Sequence, residues 1–72
     1  MPGLLRNNLG DMIRVIREER GWSQRELARR AATSQRIINA LENNKYNATL
    51  EFLDRIAKVL GVNIEINVWI RR

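Results

Sequence analysis

Apolar residues in this 72-residue chain recur every three or four positions up to Val62, and every second position after that. The first regime predicts helices and the second a strand, because side chains share a face at those two periods. Leu9, Met12, Ile13 and Ile16 define a first helix over residues 9–20, with Gly21 as its stop. Ser23 followed by Glu26 is the pattern of a capping box and opens a second helix over 24–31, with Leu27, Ala28 and Ala31 inward. Ser34 can cap a third helix over 35–43, with Ile38 and Leu41 inside and Ile37 at the margin. Thr49 caps a fourth over 50–60, which Gly61 ends, and its apolar residues cover more than one face. One side of that helix suffices for a small core, leaving the other for a second subunit.

The tail breaks this rhythm. Ile64, Ile66, Val68 and Ile70 alternate with polar residues and Trp69, as on a half-buried strand. No second strand is evident, and a lone strand leaves its backbone groups unpaired. Pairing with the same strand of a second copy, antiparallel across a two-fold axis, is the economical solution. A short final helix and a frayed tail are the alternatives. The expected fold class is therefore all-α: one compact four-helix domain over 1–72, with 63–70 a dimerisation strand carrying Ile64, Ile66, Val68, Trp69 and Ile70.

A chain this short buries only ~60% of its unfolded surface, so its stability is marginal. It has no cysteine to crosslink it or hold a metal, and no histidine, the commonest general base. The carboxylates fall at positions expected on helix exteriors, and neither a Gly-rich phosphate loop nor metal-ligand spacing occurs. Neither an enzyme nor a cofactor is indicated. The first nine residues lack the pattern of a signal peptide, and no apolar run could span a membrane, so a cytoplasmic location is expected.

Charge narrows the partner. Thirteen Lys and Arg face eight Asp and Glu, for a net charge of +5, and eleven of the thirteen cations are arginine. Arginine's planar fork suits phosphate and guanine edges better than lysine's point charge does. The second and third predicted helices, joined by a tight turn, form a helix-turn-helix. In that motif the second helix enters the major groove of double-stranded DNA and its first residues meet base edges. Gln35 and Arg36 meet the requirement of being polar, early and exposed, and Asn39 follows one turn later on the same face. Ala40 is small enough to approach a thymine methyl, and Ser34 can touch the groove as well as cap. Gln24, beside the free N–H groups of the second helix, is a candidate phosphate ligand, as are Asn43, Asn44 and Lys45 past the third. Each of these polar residues taken singly is as well explained by an ordinary solvated surface; their joint spacing is what points to DNA. Trp22 reads as a core residue, and Arg29 and Arg30 as a solvated face.

The run Arg-Glu-Glu-Arg-Gly-Trp-Ser-Gln-x-Glu-Leu-Ala from Arg17 carries a resemblance, together with Ser34 to Glu42 (Ile38, Leu41 and Glu42 in place) and Leu-Gly-Val at 60–62. Over residues 9–62 the chain resembles the Cro and phage-repressor, or XRE, helix-turn-helix family. The resemblance implies a lambda-repressor-like domain that binds an inverted-repeat operator as a homodimer and represses transcription. It also implies a partner for Arg17, which lies on the apolar face one turn after Ile13: the glutamate at Glu42. Two departures stand out. Ala32 occupies a turn where the family usually has glycine, which implies a different or strained turn. Strand periodicity replaces the family's common fifth helix. That ending, with Gly-Trp-Ser-Gln at 21–24 and Glu-Asn-Asn at 42–44, is similar to Hip-type antitoxins. They dimerise partly through a two-stranded lid and bind a kinase-like toxin. The alternative expectation is thus an antitoxin with a protein toxin as partner.

Overall fold

The computed structural model describes the backbone of residues 2–63 and the side chains of residues 9–63. Over that span it holds four helices and no strand: α1 (Pro2–Glu19), α2 (Gln24–Arg30), α3 (Gln35–Glu42) and α4 (Leu50–Leu60). The dimerisation strand expected at 63–70, with Ile64, Ile66, Val68, Trp69 and Ile70, lies outside the described residues except for Asn63, which follows α4 as irregular chain.

All three predicted caps form. Ser23 Oγ accepts the Glu26 N–H at 3.0 Å, Ser34 Oγ the Ile37 N–H at 3.1 Å, and Thr49 Oγ1 the Phe52 N–H at 3.0 Å. Each satisfies one of the donors that a helix start leaves without an internal partner. The reciprocal half of the capping box at Ser23 does not form, because the Glu26 carboxylate is taken up by Arg29 and Arg30.

The helices also end alike. Gly21, Ala32, Asn44 and Gly61 adopt left-handed backbone with φ of 74°, 55°, 58° and 76°. In each case the next N–H reaches back across the last turn: Trp22 to the Arg17 carbonyl at 3.2 Å, Thr33 to Ala28 at 2.9 Å, Lys45 to Ala40 at 2.8 Å and Val62 to Ala57 at 3.0 Å. This is the Schellman closure, which satisfies carbonyls the helix itself leaves open.

Ile13, Leu27, Ala28, Ala31, Ile38, Leu41, Phe52, Leu53, Ile56 and Leu60 form the core, with Leu9, Ile16, Trp22 and Ile37 packed at its edge. Two expectations need correction. The first helix begins at Pro2, seven residues earlier than its periodicity predicts. Asn7, Asn8 and Gly10 are weak helix formers and conceal the helical period there, whereas proline suits a first helical position. Met12 does not face inward; it is 55% exposed. The buried stripe of α1 is centred on Ile13 and Arg17, and Met12 falls about 100° away around the helix.

Gly10 explains how closely α1 approaches α3. A side chain there would meet the Glu42 and Leu41 carbonyl oxygens, at 2.5 and 2.8 Å from its first carbon. The Gly10 N–H also donates to Asn44 Oδ1 at 3.2 Å. Two turns later on α1, Arg17 grips the same end of α3. Just past the C-terminus of α1, the Arg20 guanidinium donates twice to the Leu60 carbonyl, at 2.7 and 3.2 Å, closing α4 against α1.

Candidate nucleic-acid interface

A buried ion pair underlies the surface of the helix pair. Arg17 Nε donates to Glu42 Oε2 at 2.6 Å and its Nη2 to Oε1 at 3.0 Å, while Nη1 donates to the Trp22 carbonyl at 2.7 Å. Both residues are buried, with Glu42 only 3% exposed. The pair is the one that the family resemblance implies. The bond to Glu42 raises the Arg17 pKa above its ordinary value against the opposing effect of burial, so the guanidinium stays charged at every accessible pH.

From this base a hydrogen-bonded chain runs outward. Gln24 Nε2 donates to Glu42 Oε1 at 3.1 Å, and Asn39 Nδ2 donates to Gln24 Oε1 at 3.3 Å. Asn43 Nδ2 closes over the same turn, donating to the Asn39 carbonyl at 2.8 Å and more weakly to its Oδ1 at 3.4 Å. The first residue of α2 is therefore joined to the exposed side of α3. Gln24 was expected only as a phosphate ligand, and it is half-buried and bridges the two helices.

Of the expected base readers, Gln35 and Arg36 are exposed on the first turn of α3, as is Asn39 one turn on. Ser34 is exposed while it caps α3, and Ala40 is half-buried. Of the expected phosphate ligands, Asn43 and Lys45 are exposed past α3. Asn44 is exposed too, but its Oδ1 is committed to Gly10. Its left-handed φ of 58° marks a residue that shapes the end of α3.

The distribution of paired charge locates the free positive field. Among the described residues, Arg14, Arg17, Arg29, Arg30 and Lys58 each lie within 4 Å of a carboxylate. Arg20 caps α4, Arg55 lies over the Phe52 ring, and Arg30 also stacks on Trp22. Arg25, Arg36 and Lys45 have no such engagement. They stand at the second residue of α2, at the second residue of α3 and just past the end of α3. Arg25 was missed in the sequence, where nothing separates it from the other arginines of 25–30. The distinction appears only once Glu26 is seen to bind Arg29 and Arg30 and leave Arg25 free. Those two arginines hold the Glu26 carboxyl below its ordinary range, Arg29 having the larger effect.

Comparison with known proteins places this arrangement. A helix-turn-helix family model matches residues 13–67. The chain belongs to the helix-turn-helix family. The crystal structure of hypothetical transcription factor NHTF from Neisseria superposes on it with a TM-score of 0.77 at 36% identity, over 82% of this chain and 68% of that one. The HTH-type transcriptional regulator SinR of Bacillus subtilis is 32% identical over 57 residues, covering 78% of this chain and 51% of SinR. Antitoxin HipB of Escherichia coli K12 is 31% identical over 58 residues, covering 81% of this chain and 66% of HipB. The chain spans about half the length of the first two curated relatives it matches, 55% and 51%. Among the described residues no helix is long and apolar enough to cross a membrane.

Proposed function

We propose that this chain is a sequence-specific DNA-binding transcriptional regulator, a repressor, that sets α3 in the major groove and binds an inverted-repeat operator as a homodimer in the cytoplasm. The observation that carries the reading is the first turn of α3. Gln35 and Arg36 are exposed there, on a helix joined to α2 by the Gln24–Asn39 bond, and among the described residues the unengaged cations stand at the start of α2 (Arg25), on that first turn (Arg36) and just past the end of α3 (Lys45). Gln35, Arg36 and Asn39 read base edges, Ala40 and Ser34 line the contact, and Arg36 bonds bidentately to a guanine. Arg25, Lys45, Asn43 and the remaining N–H of Gln24 hold phosphates, with Asn44 fixing the loop that carries Lys45. The similarity to SinR, a transcriptional regulator by name, supports the assignment.

Arg36→Ala tests it. In a gel-shift titration the variant loses about 1–3 kcal/mol of operator affinity and its preference at one base pair. Lys45→Ala, by contrast, weakens binding evenly across sequences and lowers the salt dependence. Unchanged affinity and preference in Arg36→Ala and in Gln35→Ala alike would remove the first turn of α3 from the role of reader.

A second reading rests on the similarity to antitoxin HipB. In it the chain neutralises a protein toxin and represses its own operon with the same helix pair. A toxin co-purifying with the chain favours that reading, and full repression by the chain alone with no co-purifying protein counts against it.

A further inference from the structure

The chain Glu42–Gln24–Asn39 has a direction, and that direction bears on which base the protein selects. The Glu42 carboxylate is buried against a guanidinium, with Arg17 donating to both of its oxygens. It can only accept. The Gln24 amide must therefore turn its Nε2 toward Glu42, which leaves Oε1 facing outward. Oε1 is an acceptor in turn, so Asn39 must present Nδ2 to it. The opposite orientation of either amide would set two acceptors against each other. Buried charge thus fixes an exposed amide in one of its two orientations.

Asn39 has two N–H hydrogens. One goes to Gln24, which leaves the other to act with Oδ1, whose contact with Asn43 is long at 3.4 Å. A donor next to an acceptor is the complement of adenine in the major groove, which shows an N7 acceptor beside an N6 donor. We infer that Glu42, acting through Gln24, is a positioning residue for base recognition, and that it commits Asn39 to an adenine. The inference rests on the DNA-reading function proposed above and adds to it a specific base and the residues that set it.

The test uses the full-length chain and a preferred operator obtained by selection from random DNA. Affinities are then measured for all four base pairs at each operator position. Asn39→Ala abolishes an adenine preference at one position, which identifies the base pair it reads. Gln24→Met, which keeps the bulk of the side chain and removes the amide, lowers the adenine preference at that same position by about ten-fold, within the range a bidentate contact supplies. The preference lost in Arg36→Ala, at its own position, is intact in Gln24→Met. Adding Gln24→Met to Asn39→Ala changes preference nowhere further. Gln24→Ala serves as the second variant if Gln24→Met does not fold, with the same expectation.

A merely structural role for Gln24 would lower affinity evenly and leave the ratio between bases unmoved, and that outcome overturns the inference. So does an Asn39→Ala variant that alters no adenine preference. In either case Arg36→Ala still reports separately on whether α3 reads DNA at all. If it too leaves every preference unchanged, the underlying function falls along with the inference.

Discussion

Ala32 is the one residue among the four helix-ending positions that pays a steric penalty for its conformation. Gly21 and Gly61 have no side-chain carbon to crowd the carbonyl, and asparagine at Asn44 tolerates left-handed backbone, but alanine at φ 55° does not. The penalty is about 1–2 kcal/mol, and glycine's greater freedom in the unfolded chain returns about 0.5–1 kcal/mol of it. Ala32→Gly is therefore expected to stabilise the domain by about 0.5–1 kcal/mol, seen as a higher midpoint in thermal denaturation. Ala32 is exposed, so the change opens no cavity. A lower midpoint would show that the turn is not strained. The family resemblance, through a glycine missing at Ala32, pointed to a different or strained turn there, and Ala32 does adopt left-handed backbone. The caps at Ser23, Ser34 and Thr49 were legible in the sequence, since a cap bonds three residues away. Gly10 and Arg20 were not legible. Their partners, Asn44 and Leu60, lie 34 and 40 residues along the chain, and only the packed helices bring them together.

At the level of elements, α1 serves chiefly to hold α3 at its C-terminal end. Gly10 lets the two backbones meet, and Arg17 pairs with Glu42 two turns later. Removing one partner of a buried ion pair leaves a bare charge and typically costs about 3–5 kcal/mol, whereas replacing both by apolar residues is often close to neutral. Domains of this kind have only about 5–15 kcal/mol in total. Arg17→Met should accordingly shift the urea midpoint sharply downward, and Arg17→Met combined with Glu42→Leu should recover most of the loss. A single variant as stable as the parent would mean the pair holds nothing together. The sequence showed Arg17 on an apolar face and so demanded a partner, but Glu42 came from family resemblance rather than from spacing. The early start of α1 was hidden by Asn7, Asn8 and Gly10. Periodicity also placed Met12 inside, because a window of four apolar residues cannot fix the centre of a stripe to within one position. The helix-turn-helix pair was the most legible part, with α2 and α3 each ending one residue before the expected boundary.

For the whole molecule, the length of α3 sets the limit. Its eight residues span about 12 Å, enough for roughly three or four base pairs. A sequence of three or four base pairs recurs by chance every ~64–256 base pairs, far too often to single out one operator among the ~10⁶–10⁹ competing sites of a genome. A second copy would double the number of base pairs read, and two-fold symmetry would turn them into an inverted repeat. We propose, from the alternating sequence alone, that the second copy pairs through the segment with Ile64, Ile66, Val68, Trp69 and Ile70, which lies outside the described residues. Selection of bound sites from random DNA measures this most directly, run in parallel on the full chain and on a chain ending at Asn63. The full chain is expected to enrich a two-fold symmetric sequence with half-sites about 10 base pairs apart, or a multiple of that. The shortened chain enriches a single half-site at lower affinity. No enriched sequence from the full chain would contradict sequence-specific recognition, and the same two-fold site enriched equally by both chains would contradict pairing through the tail.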